Sequence, residues 1–466
     1  MNTLTVTNPW DNEVLAELEL ASEEKLNELV DKAKAAQKGW AETSLYERAQ
    51  ILYKFADLWE ANEDELIITS SREMAKPFSM STDEVTKIPQ NIRGTLEYAM
   101  HMYGEVMPEN DSDAIGDLIF TKRVPLGLIG CIIPFNYPLE LTVLKVVPAL
   151  VMGNAVIVKA PSSNPMAILR IGELLVEAGV PADVCPFVVC ERPACTEAVI
   201  RNPKVDALAL TGSTAAGIEL AKNSAECLKP LFLELGGNDP FIICKDADLD
   251  VAVEEIMDGR FYIAGQTCCA PKRFIVEREV ADELADKLIA KLKEVKVGPA
   301  TDPETEISAL VTEKAAVKVE KQVNMTIEQG ATLAYGGKRD GAFYEPTVLT
   351  GVTKDMDVAI DEEIFGPVFP IIPFDTIEEA IEIANQSSYG LNSGVLSKDI
   401  MKAFHIAREL EAGCSVINGH SAYRHIDQAH GGVKMSGLGR EGICCSLEEF
   451  SAVKNYVLKG AFAKEF

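Results

Sequence analysis

Ala155-Val-Ile-Val-Lys-Ala-Pro-Ser-Ser163 sets the pattern for the chain. Four apolar residues read as a buried strand that ends on Lys159 and a Pro-Ser-Ser turn, and a helical pattern follows over 165–178. Proline stands in the first turn of that helix and Gly179 at its stop. The same alternation repeats, with strands at 186–189 and 205–210 and a helix at 214–225. A second series begins after Gly237: strand 240–244, helix 248–262, strand 272–276 and helix 279–295. It continues through helices 312–329 and 376–385, strand 391–396 and helix 399–411. Strands that alternate with helices build parallel β-α-β units and a doubly wound sheet. A chain of 466 residues is too long for one core, so two α/β domains are expected, with the cleft between them as the site.

Outside these series, residues 22–103 read as helical, beginning at a Ser22 cap with Glu23 and Glu24 in the first turn; one helix is expected over 84–103. Residues 117–130, which contain Pro125 and Gly127, read as a hairpin or extended arm. No internal repeat and no low-complexity linker is evident.

The net charge of −28 repels nucleic acid and anionic membrane surfaces. No apolar run approaches the length of a membrane span, and the N-terminal residues carry no secretory pattern. Eleven cysteines, scattered and without metal-type spacing, fit a reducing, cytoplasmic compartment and no metal site.

Two motifs suggest covalent thiol chemistry. Leu233-Glu-Leu-Gly-Gly237 sets a carboxylate beside a glycine pair, which lets backbones approach closely. Gly265-Gln-Thr-Cys-Cys269 puts a cysteine in a polar, glycine-led loop. Cys268 is then a nucleophile and Glu234 a proton carrier. Lys159, at a strand end, either donates to a ribose hydroxyl or phosphate or simply reaches solvent. In Thr211-Gly-Ser-Thr214, Gly212 permits a tight turn, and Ser213 either holds a phosphate at a helix N-terminus or is an ordinary cap. Pro134-Phe-Asn-Tyr-Pro138 brackets Asn136, either as an oxyanion donor or as a rigid turn. In Glu362-Glu-Ile-Phe-Gly-Pro367, Glu363 suits a sugar diol and Phe365 a ring, although a solvated Glu and a core Phe read the same. No Gly-x-Gly-x-x-Gly fingerprint occurs.

Together with Ser436-Gly-Leu-Gly-Arg-Glu441, these motifs stand in the order found in the aldehyde dehydrogenase superfamily, which the chain resembles over nearly its whole length. It resembles most the succinate semialdehyde and lactaldehyde dehydrogenase-like members. The resemblance implies an aldehyde dehydrogenase-like α/β fold with two doubly wound domains and a small β oligomerisation arm. Residues 1–106 and 127–236 would form the cofactor domain, 237–435 the catalytic domain, and 107–126 with 451–460 the arm of a homodimer or homotetramer. It implies Cys268 as nucleophile, with Cys269 the weaker candidate, Glu234 as base for deacylation and Asn136 as oxyanion donor with the Cys268 N–H. By the same resemblance Lys159 takes the adenosine ribose, Gly212 and Ser213 the pyrophosphate, and Glu363 with Phe365 the nicotinamide ribose. The implied reaction is NAD(P)-dependent oxidation of a small aldehyde to its acid through a thiohemiacetal and a thioester.

Several positions depart from the family pattern. Ser162 stands where many NAD-preferring members carry a Glu that chelates the ribose diol, which predicts NADP competence and preference over NAD. Thr267 stands where phosphorylated-triose oxidisers carry Arg, which weakens that substrate class. Arg424, before Gly431 and Gly432, lies where members line the substrate tunnel with Phe135 and Thr267. It either pairs with a substrate carboxylate or is a surface or intersubunit residue. Ala429 and His430 replace a Pro-aromatic pair, and His420, His425 and His430 form no triad or metal set. Two alternatives remain: a CoA-acylating relative, disfavoured by Glu234, and a binding or structural homologue without turnover.

Overall fold

The computed structural model describes residues 2–462; Met1, the first residue of the expected cofactor segment, lies outside them. Two sheets, each with its own apolar core, organise the chain. The first runs in the order Gly437–Leu438, Leu231–Glu234, Ala207–Thr211, Leu128–Ile132, Ala155–Lys159, Phe187–Val188. All its neighbours are parallel except Gly437–Leu438, which returns antiparallel onto Leu231–Glu234. The second runs Thr332–Tyr335, Thr347–Thr350, Val368–Phe374, Arg273–Glu277, Pro240–Ile243, Asn392–Leu396, Cys414–Ile417. It is parallel except at the Thr332–Tyr335 edge. Parallel strands with helices on both faces lose water on both sides, so these strands are apolar runs and not alternating ones.

Two expectations need correction. Residues 117–130 are not one arm. Leu118–Pro125 pairs antiparallel with Ser451–Leu458 along its whole length, but Leu128–Ile132 is a central parallel strand between Ala155–Lys159 and Ala207–Thr211. Pro125 and Gly127, read as hairpin punctuation, mark the exit from a ribbon into the sheet. The helix expected over 84–103 runs Phe78–Ala99 and carries Pro89 inside it. Helix Pro138–Val151 was not expected: all its residues but Glu140 are buried, so it shows no amphipathic period.

Helix starts follow local chemistry. Ser22 accepts from the Lys25 N–H, and Ser44 with Glu47 forms a capping box ahead of Leu45–Ala61. Two helices that follow loops of the first sheet are capped differently, by buried carboxylates reaching from the N-terminal helices. Glu73 accepts from Met166 N and Ala167 N, at the start of Met166–Ala178. Glu84 accepts from Leu139 N and Glu140 N, both at 3.0 Å, at the start of Pro138–Val151. Each carboxylate meets the unpaired N–H groups and positive pole of a helix N-terminus. Glu84 is also paired with Lys76 at 2.5 Å, both side chains wholly buried, and the Lys76 ammonium lies 4.3 Å from the Tyr137 ring centroid.

A buried pair is costly to break from one side, because the remaining charge is stranded. Glu84→Ala is therefore expected to lower stability by about 3–5 kcal/mol, read as the shift of the first denaturation midpoint. Replacing Lys76 and Glu84 together by Met should recover part of that loss. An unchanged midpoint in Glu84→Ala would contradict this account.

Candidate active site

The loop carrying Cys268 is held in an unusual backbone path. Ile263 and Ala264 adopt left-handed φ angles of 49° and 51°, and Gly265 follows at 75°. Such angles are costly for residues with a Cβ and persist only where surroundings enforce them. Here Gln266 supplies the restraint: its side chain donates to Ile263 O at 3.1 Å and accepts from Val311 N at 3.0 Å. At Gly265 a Cβ would meet the Gly366 carbonyl oxygen at 2.2 Å. The Gly-Gln-Thr-Cys and Phe-Gly-Pro motifs are thus in backbone contact.

The glycine pair of Leu-Glu-Leu-Gly-Gly does the same work on the other side. A Cβ on Gly236 would strike Glu363 Oε2 at 2.5 Å, and one on Gly237 would approach the Cys268 carbonyl oxygen to 3.1 Å. The Gly237 N–H donates to Glu363 Oε1 at 3.1 Å. Glu234, the last residue of strand Leu231–Glu234, stands two residues before Gly236, close enough to Cys268 for their charges to interact. Its own carbonyl accepts from Gly212 N at 2.9 Å, which joins the Thr-Gly-Ser-Thr turn to the group. Asn136, buried, donates from Nδ2 to the Gln266 carbonyl at 3.1 Å and so lies against the cysteine loop. Phe135 packs edge-to-face on Phe365 with centroids 6.0 Å apart.

Cys268 is half-buried and Cys269 is buried, so Cys268 is the more open of the two. The two neighbouring thiols act on each other in opposite senses, Cys269 being held below the ordinary thiol range by Cys268. The Cys269 contact and burial push the Cys268 thiol well up, against which His430 pulls down. Glu234 is also held well above the usual carboxylate range, by burial and then by the Glu441 charge; Lys145 and Arg424 oppose the rise, and Cys268 adds to it.

Around Glu234 lies a ring of charges. Lys145 ion-pairs with Glu441 and donates to Thr211 Oγ1 at 2.6 Å. Arg424 is half-buried, 3.6 Å from Glu441 and 4.0 Å from Glu140. Burial works against the Arg424 charge, and Glu140 and Glu441 outweigh it. The structure places Arg424 in an internal ion pair with Glu441 and Glu140, which neither of the two readings foresaw. Thr267 is buried and its Oγ1 has no partner.

The cofactor candidates fall at the ends of the first sheet's strands. Lys159 closes Ala155–Lys159, with Nζ donating to Ala160 O at 3.1 Å, and Ser162 is exposed in the turn beyond. Ser213 is an N-cap: its Oγ accepts from Ala216 N at 3.3 Å, which leaves its own O–H and the backbone N–H groups of the helix start for a phosphate. Gly212 needs no left-handed φ, and a Cβ there would meet only Leu210, at 3.4 Å. Its glycine supplies open surface and not the tight turn expected.

Four residues received no role in the sequence reading. Lys272 is buried, donates to the Cys268 carbonyl at 2.5 Å, sits 3.6 Å from Glu363 and 5.8 Å from the Phe365 ring centroid. One ammonium thus ties the cysteine loop to both cofactor-ribose candidates. Lys145 and Glu441 are a buried pair, and the only sequence signal was a lone Lys in the apolar run Leu144-Lys-Val-Val147. His430 is buried beside Cys268, whereas His425 is exposed and His420 bonds Asp258 at 2.9 Å. Among the described residues no helix is long and apolar enough to cross a membrane, and no His/Cys/Asp/Glu group is arranged to hold a metal.

The aldehyde dehydrogenase family model matches residues 1–456. The chain is 36% identical to a lactaldehyde dehydrogenase of Methanococcus aeolicus, covering 98% of this chain and 97% of that protein. It is 34% identical to the mitochondrial succinate-semialdehyde dehydrogenase of Oryza sativa, over 98% and 86%. A crystal structure of glyceraldehyde-3-phosphate dehydrogenase from Methanocaldococcus jannaschii, complexed with NADP, superposes with a TM-score of 0.93 at 33% identity, covering 98% of this chain and 99% of that one. The chain belongs to the aldehyde dehydrogenase family, and its mixed α/β fold is that of the family's solved structures.

The contact at Gly265 has a measurable consequence. Gly265→Ala is expected to abolish most turnover while costing about 1–3 kcal/mol, because the added methyl must move the Gly366 carbonyl and with it Glu363. Turnover and denaturation midpoint measured together check this; wild-type turnover in Gly265→Ala would refute it.

Proposed function

We propose that the chain oxidises a small hydroxylated or carboxylated aldehyde to its acid with NADP in preference to NAD. The observation that carries the reading is the crossing at Gly236 and Gly237, which sets Glu234, Glu363 and the Cys268 loop around one cleft. Cys268 attacks the aldehyde carbon. The oxyanion that forms is held by the Asn136 side-chain N–H not used by Gln266, and by the Cys268 backbone N–H. A bound oxidised nicotinamide supplies the hydride acceptor. Glu363 and Phe365 hold its ribose side, with Lys272 fixing both against the cysteine loop. Lys159 and Ser162 take the adenosine ribose, and the open surface at Gly212 with the N–H groups after Ser213 cradles the pyrophosphate; the donor set and the space a Cβ would fill suit a dinucleotide. The acyl group left on Cys268 is a thioester. Glu234 takes a proton from water as that water attacks, and the acid leaves.

Arg424 supports the substrate class. Its guanidinium stands 4.0 Å from Glu140 and 3.6 Å from Glu441, so a substrate carboxylate or hydroxyl would share it with Glu140. Phe135 and Thr267 form the adjoining walls. The relatives named for lactaldehyde and succinate semialdehyde act on aldehydes of that size. The ribbon of Leu118–Pro125 and Ser451–Leu458 is the proposed oligomerisation arm, giving a homodimer or homotetramer.

Cys268→Ala should lose NAD(P)H production by a factor on the order of 10⁴ or more; full activity would end this reading. Ser162 leaves room for a 2′-phosphate that a carboxylate would repel. The wild-type kcat/KM should favour NADP, and Ser162→Glu should move the NADP/NAD ratio at least about tenfold toward NAD. A wild-type preference for NAD would overturn the cofactor assignment. Because burial and Glu441 raise Glu234, deacylation should fall as pH drops through a limb well above 4.5. Removing the like charge with Glu441→Gln should move that limb to lower pH. A limb that stays in place would contradict the electrostatic account.

A further inference from the structure

We infer that Asn164 is a positioning residue that carries occupancy of the adenosine-ribose turn to the oxyanion donor Asn136. The inference rests on the dehydrogenase reading above and adds to it a residue that acts through another.

Asn164 is wholly buried between two of the candidate segments. Its Nδ2 donates to the Phe135 carbonyl at 2.8 Å, and its Oδ1 accepts from Ser163 Oγ at 2.7 Å. The second bond fixes the amide: with Oδ1 turned to Ser163, Nδ2 has to face Phe135. Ser163 lies in the turn that follows Lys159 and Ser162. One side chain therefore joins that turn to the Pro-Phe-Asn-Tyr-Pro loop. The two segments also meet through their backbones, where Ile133 N donates to Lys159 O at 3.1 Å.

The contact falls on the peptide unit that enters Asn136. The Phe135 carbonyl and the Asn136 N–H share one plane, so holding the oxygen sets the direction in which the Asn136 Cα leaves. Beyond Asn136, Leu139 N and Glu140 N both bond Glu84 at 3.0 Å. Glu84 belongs to the N-terminal helix Phe78–Ala99. Of these two anchors, Asn164 is the one bonded to the ribose turn.

The other end of the dinucleotide site reaches the same residue. The Phe135 ring packs edge-to-face on Phe365, with centroids 6.0 Å apart. The segments assigned to the two riboses thus hold Phe135 at its carbonyl and at its ring, and Asn136 follows directly. The Asn136 side chain in turn meets the cysteine loop, donating to the Gln266 carbonyl at 3.1 Å. A displacement of about 1 Å at such a donor can cost on the order of 100-fold in rate. Binding energy from the adenosine end, remote from the chemistry, is then expressed in kcat as well as in affinity.

The test compares Asn164→Ala with the wild type on two acceptors, NADP and nicotinamide mononucleotide, which lacks the adenosine ribose. With NADP the substitution should lower kcat at least about tenfold while KM for NADP stays within about threefold. With the mononucleotide the ribose turn is unfilled in both proteins, so kcat should differ by less than about twofold. An equal loss with both acceptors marks a purely structural bond and overturns the inference. If the mononucleotide supports no measurable turnover, the NADP data decide alone: a KM that rises in step with the fall in kcat overturns it. If Asn164→Ala misfolds, Ser163→Ala keeps the amide but frees it from the turn. That variant should show the same pattern at smaller size, and an unchanged kcat with NADP overturns the inference. Each of these results leaves the dehydrogenase reading standing, because that reading fails only if Cys268→Ala keeps its turnover.

Discussion

Three chain segments from two sheets cross where there is no room for a side chain. Gly236 faces the Glu363 carboxyl, Gly237 faces the Cys268 carbonyl, and Gly265 faces the Gly366 carbonyl. At Gly265 the approach is closer than a Cβ allows, at Gly237 it is tighter than an ordinary Cβ contact, and at Gly236 a Cβ would displace the end of the Glu363 side chain, so the crossing depends most on Gly265 being glycine. Everything chemical in the cleft inherits its position from it. Glu234 is two residues from Gly236 on a fixed strand end, Cys268 is three residues beyond Gly265, and Glu363 accepts the Gly237 N–H. Lys272 closes the arrangement by bonding the Cys268 carbonyl while standing 3.6 Å from Glu363.

Charge is the second constraint. Lys145, Glu441, Arg424, Glu140 and Glu234 are all wholly or partly removed from water. Such a set is stable only as a connected network, because an isolated buried charge is too costly. The network has a chemical result as well as a structural one. Burial and Glu441 raise Glu234, while Lys145 and Arg424 restrain the rise. The carboxyl is therefore poised to exchange a proton. The cost falls on flexibility: a site assembled from paired buried charges and glycine crossings tolerates little substitution at any member.

Much of this was legible in the sequence, and for specific reasons. Strand–helix alternation from Ala155 onward follows from apolar runs broken by turn residues, and it gave parallel sheets. The family motifs gave Asn136, Glu234, Cys268 and Glu363, whose segments the structure draws against the cysteine loop. Leu128–Ile132 was misread because Pro125 and Gly127 resemble hairpin punctuation, and helix Pro138–Val151 was missed because burial on every side erases its period. Lys272, Glu441 and His430 could not be placed from sequence. Their neighbours are set by chain crossings between distant segments, as in the Glu441 contact with Lys145. Gly212 shows the converse case: its glycine was read as permitting a tight turn, and its backbone needs none.

The central claim is that Cys268 carries the acyl group and Glu234 removes it. The most direct measurement is mass spectrometry of Glu234→Gln, quenched after mixing with cofactor and an aldehyde that the wild type oxidises. The account predicts an acyl mass on the peptide containing Cys268, localised to that residue by fragmentation, together with about one equivalent of reduced cofactor per site. An acyl group on Cys269, or reduced cofactor with no acylated cysteine, would contradict it.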